Sequence, residues 1–301
     1  ETLPASSWRW RSSAGVPAAT TWPRSMMIAG FIPPTAGRVS VGGHDLAEDP
    51  IPAKRLMGYL PESAPCYSDM TVLGFLSFAA EIRGLHGAAR EQAIRRVVGQ
   101  CFLESVLHQS VDTLSKGYRH RTCLAQALIH DPEVLVLDEP NDGLDPNQKH
   151  EIRQLLKRFG QEKAIIFSTH ILEEVDAVCT RAIIIDRGQV VAAGTPAELR
   201  HRHELAGSVS LRLQGVAAEA VRSRLGAVTI AGKVQVEDAS GSLLARVYPR
   251  DRGVHGDLAR AVAETVVQAG WKFDELRTEE GRLDEVFRSI TLSDTAGGRA
   301  A

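Results

Sequence analysis

Two adjacent carboxylates follow an apolar run in the middle of this chain. Val134–Leu137 contains four β-favouring aliphatic residues, and Asp138 and Glu139 come directly after them. Such a run predicts a strand inside a sheet, and open α/β sheets bind ligands at the carboxyl ends of their strands. There, one carboxylate can hold Mg²⁺ through water and the next can polarise water that attacks a phosphate. On these residues alone, a pair of solvated acids at a strand end remains the alternative.

Further polar residues flank this run at informative distances. Leu114–Tyr118 reads Leu-Ser-Lys-Gly-Tyr and precedes a predicted helix. Ser115 offers a hydroxyl, Gly117 permits close backbone approach, and the N-terminal N–H groups of a helix suit an anion. The simpler alternative is that Ser115 is an ordinary helix N-cap. Downstream, His170 follows a second apolar strand and the pair Ser-Thr; a structural histidine at a strand end is the alternative there.

Together, these motifs resemble the ATP-binding subunits of ABC transporters. In that family, Val134–Glu139 would be the Walker B strand, Leu114–Tyr118 the signature motif and His170 the H-switch. The likeness covers about Met26–Leu199. It implies a P-loop NTPase-like fold, with ATP and Mg²⁺ as cofactors.

The resemblance also implies a role for each matching residue. Glu139 would be the general base, Asp138 the Mg²⁺ carboxylate and His170 the sensor of the γ-phosphate. Ser115 and Gly117 would clamp the γ-phosphate of an ATP molecule held by the opposite subunit. These roles are expectations from the family pattern.

Other positions match the family less closely. Asp145 would be the D-loop residue that contacts the partner subunit. Glu62 stands where the family has the Q-loop glutamine; a carboxylate can accept from water or bind Mg²⁺ but cannot donate as an amide does, and an ordinary loop acid is the alternative. Asn141 replaces the usual threonine, a change that we expect to be tolerated. Lys116 and Tyr118 depart from Leu-Ser-Gly-Gly-Gln but resemble a variant found in export-type subunits.

The glycine-rich P-loop that should precede these motifs is not recognisable. Its pattern, Gly-x-x-x-x-Gly-Lys-Ser/Thr, cradles phosphates with backbone N–H groups and supplies a lysine and a Mg²⁺-binding hydroxyl. It should fall on Gly15–Pro23, which reads Gly-Val-Pro-Ala-Ala-Thr-Thr-Trp-Pro. Only Gly15 fits, because Thr21 stands at the lysine position and Trp22 at the hydroxyl position. The two prolines remove potential donors.

Three explanations for the altered segment remain open. A reading-frame disruption upstream of Met26 is favoured by the abrupt change of composition, since three of the four tryptophans lie in residues 1–25. The others are a true loss of nucleotide binding and an unfamiliar phosphate site. The chain begins with Glu1, so we expect its natural start to be missing.

The bulk composition limits the possible partners and compartments. With 44% hydrophobic and 24% charged residues and a net charge of −2, nothing indicates nucleic-acid binding. No run approaches the roughly 18 apolar residues of a membrane span. The four cysteines are widely spaced and form no CxxC pair, which predicts reduced cytosolic core thiols. The family resemblance implies an integral-membrane permease and a second ATPase subunit, forming a homodimer, as partners, and a cytoplasmic location on the inner face of the cell membrane.

Alternating strands and helices predict an α/β fold with a mostly parallel sheet and a helical subdomain. Ala164–Phe167 and Ala182–Asp186 are expected to be further buried strands of this sheet. Near the C-terminus the order becomes βαββαβ, which predicts a small ferredoxin-like α+β domain, similar to the accessory domain of ABC-2-type exporter subunits. The predicted divisions are an irregular segment 1–25, an ATPase domain lacking Walker A at 26–203, an accessory domain at 207–291 and a disordered tail at 292–301.

The sequence therefore predicts an ATP-binding and ATP-hydrolysing subunit that powers an ABC-type exporter, impaired by loss of the P-loop. The alternative is a non-catalytic scaffold or partner subunit that binds a permease without hydrolysis. A DNA-repair or translation ATPase of the same superfamily is disfavoured, since long coiled-coil insertions and tandem cassettes are not found in the sequence.

Overall fold

The computed structural model describes residues 22–239, 242–251 and 257–292 of the chain. Its helices are α1 (Trp22–Ile28), α2 (Pro50–Arg55), α3 (Val72–Ile82), α4 (Gly87–Cys101), α5 (Lys116–Leu128), α6 (Pro146–Phe159), α7 (Leu172–Val178), α8 (Pro196–Arg200), α9 (Ala218–Gly226), α10 (Asp257–Gln268) and α11 (Leu283–Leu292). Its strands are β1 (Ser40–Val41), β2 (His44–Asp45), β3 (Met57–Leu60), β4 (Val134–Asp138), β5 (Ala164–Ser168), β6 (Ala182–Asp186), β7 (Gln189–Gly194), β8 (Val209–Gln214), β9 (Ala231–Ala239), β10 (Ser242–Pro249) and β11 (Lys272–Thr278).

These elements form two compact units. The first contains the described residues up to Val178 together with Arg187–Gln189, and the second contains Cys179–Asp186 and the described residues from Val190 onward. The domain limits at 203 and 207 stay a prediction.

A parallel sheet with the order β3-β4-β5 forms the centre of the first unit. Leu137 of β4 lies beside Leu60 of β3 and Phe167 of β5, so the three carboxyl ends meet at one edge. Every residue of β4 is buried. Its leucines pack in a core shared with α3, α4 and α5, and its first and third residues pack in a smaller core with β1, α2 and β3. Both faces of the strand are covered, which explains its apolar run.

The predicted burial of the later strands is only partly right. Ile166 of β5 is 43% exposed and Ile183 of β6 is 55% exposed. Moreover, β6 pairs with β7 in a separate two-stranded sheet and does not join the parallel sheet. An aliphatic strand is buried on both faces only where other elements cover both faces. Within the described residues, β5 and β6 are also edge strands, since each has a single neighbouring strand.

The predicted helical subdomain of the first unit consists of α3, α4 and α5. Helices α3 and α4 both pack against α5. Thr71 caps α3, because its side chain accepts a hydrogen bond from the backbone N–H of Gly74. Within the described residues, no helix combines the length and the hydropathy that a bilayer crossing requires.

The predicted irregular segment 1–25 is wrong at its end, since α1 begins at Trp22. Pro23 is compatible with this start because the first turn of a helix needs no proline N–H. The helix ends before Pro33 and Pro34, with Gly30 at φ 71 and Phe31 N–H donating to the carbonyl of Met26. That bond is typical of a glycine-terminated helix. Residues 1–21, which include most of the expected P-loop position, lie outside the described residues.

The second unit contains a four-stranded antiparallel sheet with the order β11-β8-β10-β9. Along the chain its elements follow the predicted βαββαβ order, from β8 through α9, β9, β10 and α10 to β11. Alternate residues of β8 and β10 pack against Val221 of α9 and Val262 of α10, as expected of a sheet with helices on one face. Helix α11 reaches Leu292, the residue at which the disordered tail was predicted to begin; residues 293–301 lie outside the described residues.

Candidate functional site

The carboxyl edge of the parallel sheet brings Tyr59, Asp138 and Ser168 together. Asp138 lies directly beside Ser168 in the β4–β5 register. Tyr59 lies beside Val136, two residues before Asp138 and therefore on the same face of the sheet. Sheet register thus gathers polar groups from three strands that are far apart in the sequence.

The Asp138 carboxylate is buried, with only 1% of the residue exposed. Tyr59 Oη donates to its Oδ2 at 2.8 Å, and Ser168 Oγ donates to its Oδ1 at 3.0 Å. Burial first, and then the hydrogen bond and charge of Asp138, raise the pKa of Tyr59 well above its ordinary value. Tyr59 therefore stays protonated and keeps donating. Both carboxylate oxygens are held by neutral donors that fix their direction and leave their negative charge in place.

Tyr59 and Ser168 were not assigned a role from the sequence. The residue type is informative, because a tyrosine hydroxyl usually has a hydrogen-bond partner when the ring is buried. What the sequence lacked was the strand order and register, which decide that this partner is Asp138.

Glu139 begins the turn after β4 in a strained conformation, with φ 45. Left-handed backbone is uncommon for a residue other than glycine and often accompanies functional sites. The Glu139 N–H donates to the carbonyl and to Oγ of Ser168, each at 3.2 Å, which holds the turn against β5.

His170 approaches Glu139 from the end of β5. Its Nδ1 lies 2.9 Å from Glu139 Oε2, and the His170 side chain is 69% exposed. The hydrogen bond with Glu139, and then the charge of Glu139, raise the pKa of His170 above its ordinary value. Since the second ring nitrogen is on the opposite side of the imidazole, one nitrogen can hold Glu139 while the other meets a ligand. The structure thus brings together two of the predicted site residues.

The donor set at this edge suits a hard cation only in part. Carboxylate and hydroxyl oxygens are the ligands that Mg²⁺ prefers, and Mg²⁺ usually keeps several waters. Yet the described part of the chain contains no group of three or more side chains that could enclose a metal. Asp138 and Glu139 also form no ion pair with a lysine or arginine there. These side chains can therefore orient a hydrated cation, but further ligands, such as the phosphates of a nucleotide, would have to complete its coordination.

Ser115 and Gly117 lie at the start of α5. Ser115 is the N-cap, and its Oγ accepts from the N–H of Tyr118 at 3.4 Å. A Cβ on Gly117 would overlap the end of the Gln148 side chain in α6, so the glycine lets that side chain lie against the backbone of α5. The N-cap alternative is therefore observed within the chain. No hydrogen bond joins this segment to Asp138 in the residues that the structure describes.

Lys116, the unusual residue of the signature segment, contacts the turn that follows β4. Its Nζ lies 3.3 Å from Asp142 Oδ2. A Cβ on Gly143 would overlap the Lys116 side chain, and Gly143 has φ 62. Gly143 therefore both forms the turn and makes room for the lysine.

Asp145 caps α6 within its own chain. Its Oδ1 accepts from the N–H groups of Asn147 at 2.9 Å and Gln148 at 3.0 Å. Helix N-caps of this kind contribute about 1 kcal/mol. Contact of Asp145 with a partner subunit remains a prediction.

Glu62 is exposed just after β3. Because Leu60 pairs with Leu137, Glu62 and Glu139 are each two residues beyond the same level of the sheet. Glu62 therefore belongs to the same edge of the sheet, and its role there remains a prediction.

Two buried polar residues lie close to this edge: Asn141, which replaces the usual threonine, and His120, which was not assigned a role from the sequence. His120 of α5 is 3% exposed and Asn141 is 2% exposed. Burial lowers the pKa of His120 to about 4, opposed by a hydrogen bond with the backbone of Pro140, so the ring is neutral at pH 7. Neither amide atom of Asn141 has a hydrogen-bond partner among the described residues. A buried amide without a hydrogen-bond partner costs free energy. Asn141 therefore buries these two polar atoms without a partner in the described part of the chain, whereas the threonine of the family pattern would carry a single hydroxyl there.

Comparison with known proteins gives a consistent result. The family model described as ABC transporter matches residues 25–142, beginning where the recognisable motifs begin. The ABC transporter ATP-binding protein YxlF of Bacillus subtilis (strain 168) is 33% identical over 178 residues, which are 59% of this chain and 59% of YxlF. The chain thus spans less than two thirds of that relative.

Two further proteins extend the likeness. The linearmycin resistance ATP-binding protein LnrL of Bacillus subtilis (strain 168) is 28% identical over 267 residues, covering 88% of this chain and 84% of LnrL. A solved ATP-binding subunit of an ABC transporter is 28% identical with a TM-score of 0.55, covering 60% of this chain and 76% of that structure. The three-stranded parallel sheet, its acidic edge and these matches agree, and together they make the chain similar to the ATP-binding proteins of ABC transporters.

Proposed function

We propose that this chain is the ATP-binding subunit of an ABC-type membrane exporter, and that the altered segment before Met26 impairs its nucleotide chemistry. The observation that supports this most directly is the edge formed by Asp138, Glu139 and His170. A rigid strand presents two carboxylates there, and a titratable imidazole contacts the second at 2.9 Å. This is the arrangement that phosphoryl transfer to water requires of a protein.

Within this proposal, each residue at the edge has a distinct task. Glu139 accepts the proton of the attacking water, and His170 orients that water and contacts the γ-phosphate. Asp138 holds Mg²⁺ through water, with its direction fixed by Tyr59 and Ser168. Bound Mg²⁺ would neutralise charge on the phosphates.

A second subunit would complete the site. The family pattern assigns Ser115 and Gly117 to the γ-phosphate of ATP held by the opposite copy, Asp145 to the subunit interface, and Glu62 to water or Mg²⁺ near the permease contact. The exposed position of Ser115 and Lys116 at the start of α5 supports the first role, because the N-terminus of a helix attracts phosphate. We therefore propose a homodimer.

The membrane partner is proposed from the likeness to ABC transporter ATP-binding proteins. ABC ATP-binding subunits work with an integral-membrane permease, which would place this chain in the cytoplasm on the inner face of the membrane. Export is supported by the relative LnrL, which is named for linearmycin resistance and matches 88% of this chain. That coverage includes sequence of the βαββαβ region, since the first unit alone is too short to account for it.

Loss of the P-loop should weaken ATP binding severely. Each charge-assisted hydrogen bond contributes about 1.5–3 kcal/mol, and micromolar affinity corresponds to about 8 kcal/mol. Removing several such contacts therefore eliminates most of the affinity. This same deficit favours a second candidate function, a non-catalytic subunit that binds a permease without hydrolysis.

Calorimetric titration of the chain as it stands with Mg-ATP tests the impairment. We expect no binding heat at millimolar ATP. Micromolar binding would overturn the impairment and would show that residues 1–25 build an unfamiliar phosphate site. In parallel, those residues are replaced by the strand and P-loop segment of a relative.

The restored chimera separates the two candidate functions. Binding and hydrolysis of ATP by the chimera would support an ATPase whose only defect is the segment before Met26. If the folded chimera binds ATP but does not hydrolyse it, the proposed catalytic edge is wrong and the scaffold function stands. Sequencing the encoding DNA upstream of Met26 then distinguishes a frame disruption from a true loss.

A further inference from the structure

Two cysteines that are distant in the sequence meet in the first unit. Cys66 Sγ lies 2.7 Å from Cys123 Sγ, although 57 positions separate them. Cys66 is half-buried in the segment between β3 and α3, and Cys123 is buried in the middle of α5. Both are free thiols. The sequence showed only widely spaced cysteines, so this pair follows from the fold.

The surroundings make the two thiols chemically unequal. The hydrogen bond from Cys123 lowers the pKa of Cys66; burial opposes this, and the charge of Arg119 adds to it. The same interaction and burial raise the pKa of Cys123. The Cys123 thiol also lies 3.5 Å from the carbonyl of Pro65. Cys66 is thus the better thiolate and the more accessible sulfur, which is the pattern of a reactive cysteine with a neighbouring second thiol.

Cys101 provides an internal contrast. It is completely buried in α4, and burial raises its pKa to about 12. A thiol of that kind is inert toward oxidants. Reactivity in this unit should therefore be confined to the pair.

We propose that Cys66 and Cys123 form a reversible disulfide when the protein meets a peroxide, and that this bond tethers the segment after β3 to helix α5. Transient, redox-sensing disulfides are the type that occurs in reducing compartments. The bond would join two segments that already lie in contact.

The reaction balances with hydrogen peroxide as the oxidant. The Cys66 thiolate attacks one peroxide oxygen, the O–O bond breaks, and the products are Cys66 sulfenic acid and, after protonation, water. The Cys123 sulfur then attacks the sulfenic sulfur; the S–O bond breaks, hydroxide leaves with the Cys123 proton as a second water, and the S–S bond forms. The two thiols lose two electrons in total, and a dithiol reductant returns them.

The position of the tether suggests what it would control. Residues after Cys66 are already fixed to the segment before α5, since Ser68 O accepts from Ser110 Oγ at 3.2 Å. Glu62, by contrast, is exposed between β3 and Cys66. The disulfide would join this segment covalently to the helix whose start carries Ser115 and Gly117. Its effect on ATP turnover rests on the proposed function, whereas its formation does not.

Peptide mapping of the whole chain tests formation of the bond. After peroxide treatment and blocking of free thiols, non-reducing digestion should yield a peptide linking Cys66 to Cys123, and dithiothreitol should release it. Modification of Cys66 should be at least about tenfold faster than that of Cys101. Over-oxidised Cys66 without a cross-link, or equal modification of Cys101, would overturn the proposal.

Matched variants keep the test clear. Cys66→Ser should abolish the cross-link and leave Cys123 unmodified, while Cys101→Ser should preserve it. In Cys123→Ala, the Cys66 sulfenic acid should persist and be trapped by dimedone; circular dichroism checks that this core variant folds. A cross-link that persists in Cys66→Ser would contradict the assignment.

The regulatory consequence has its own readout. In the chimera with a restored P-loop, oxidation should lower ATP turnover reversibly, and Cys66→Ser should make turnover insensitive to peroxide. If the disulfide forms but turnover is unchanged, the regulatory role is wrong and the bond is only structural. If the chimera never hydrolyses ATP, the proposed function fails, and the peptide map still decides on the disulfide.

Discussion

Acidic residues lie at both ends of the central strand β4, and their partners differ. Before β4, Asp131 contacts Lys163 Nζ at 2.6 Å and Arg96 Nη1 at 3.0 Å. After β4, Asp138 is held by the hydroxyl groups of Tyr59 and Ser168. The amino end therefore neutralises its carboxylate with two fixed cations, whereas the carboxyl end orients its carboxylate with neutral donors.

Backbone strain does not distinguish these two ends. Asp131 has φ 56 and Glu139 has φ 45, so each end has an acidic residue in the left-handed region. What differs is the charge that each acid meets. Lys163 is only 11% exposed and also donates to the carbonyl of Pro132, so its ammonium group is held in place by the fold. Glu139 meets His170, whose charge depends on pH and whose side chain is 69% exposed.

This difference separates stability from ligand binding on one strand. A carboxylate with built-in cations has nothing left to offer a ligand. Carboxylates without such cations retain negative charge that an external cation can meet, and a low local dielectric strengthens that attraction. Backbone strain occurs at both ends, whereas carboxylates without a lysine or arginine partner among the described residues occur only at the carboxyl end, which is the end that we propose to bind Mg-ATP.

The largest expected effect comes from neutralising the acid at the carboxyl end. In the chimera with a restored P-loop, Glu139→Gln should lower the rate of ATP hydrolysis by about 10²–10⁴-fold, because loss of a general base has this magnitude. The change should leave the free energy of unfolding nearly unaltered. Steady-state phosphate release and urea unfolding measure the two quantities.

The matched control is Glu133→Gln, the same change at the exposed residue before β4. It should leave hydrolysis unaltered. Equal losses in both variants would mean that the comparison between the two ends does not reflect catalysis.

Much of this arrangement could be predicted from the sequence. The continuous aliphatic run of β4 specified a buried strand, and its following acids could be placed at the carboxyl edge because parallel strands end together. In each of these cases the information is local, so a short stretch of sequence contains it.

The features that the sequence did not reveal depend on strand order and on which elements pack against each other, and neither is contained in a short stretch of sequence. That Tyr59 donates to Asp138 requires the strand order β3-β4. That β6 leaves the parallel sheet depends on which elements cover it, and its aliphatic run alone cannot reveal this. The contact between Cys66 and Cys123 likewise requires the packing of α5 against the segment after β3.

Acidification should destabilise the protein through a buried histidine, His120, and a half-buried one, His130. Burial lowers the pKa of His120 to about 4, and that of His130, whose Nε2 lies 3.1 Å from the carbonyl of Met57, to about 4 as well. In the unfolded chain they titrate near 6.5. Between these values the unfolded state binds more protons, so stability must fall as the pH falls from about 6.5 to about 4.

The expected loss attributable to His120 is about 2–3 kcal/mol between pH 7 and pH 4.5. Urea unfolding at the two pH values measures it, and the folded variant His120→Gln should show a correspondingly smaller difference. His150→Gln, at an exposed position, should retain the full difference. If His120→Gln behaves like wild type, the histidine is not the group that titrates.

Removing the charge at the amino end should have a smaller effect, on stability alone. The hydrogen bond from Lys163 and the charge of Arg96 outweigh the opposing effect of burial and lower the pKa of Asp131. Asp131→Asn should reduce the free energy of unfolding by about 1 kcal/mol, a modest value because the Asp131 side chain is 60% exposed.

In the restored chimera, Asp131→Asn should leave ATP hydrolysis unchanged, the reverse of the Glu139→Gln pattern. The exposed Asp69 supplies the control: Asp69→Asn should alter neither quantity. A loss of hydrolysis in Asp131→Asn without loss of stability would contradict the division between the two ends.

The smallest expected effect is the titration of His170 against Glu139. Because Glu139 raises the pKa of His170, the charged pair contributes stability that is complete below pH 6.5 and is lost as the pH rises through the folded pKa. With His170 69% exposed, this contribution should stay below about 1 kcal/mol. Histidine NMR detects it directly: Glu139→Gln should bring the His170 pKa back toward its ordinary value, and Asp142→Asn should lower it less, because Asp142 acts only through its more distant charge. An equal response to both variants would mean that general negative charge, and not the contact with Glu139, holds the proton at this edge.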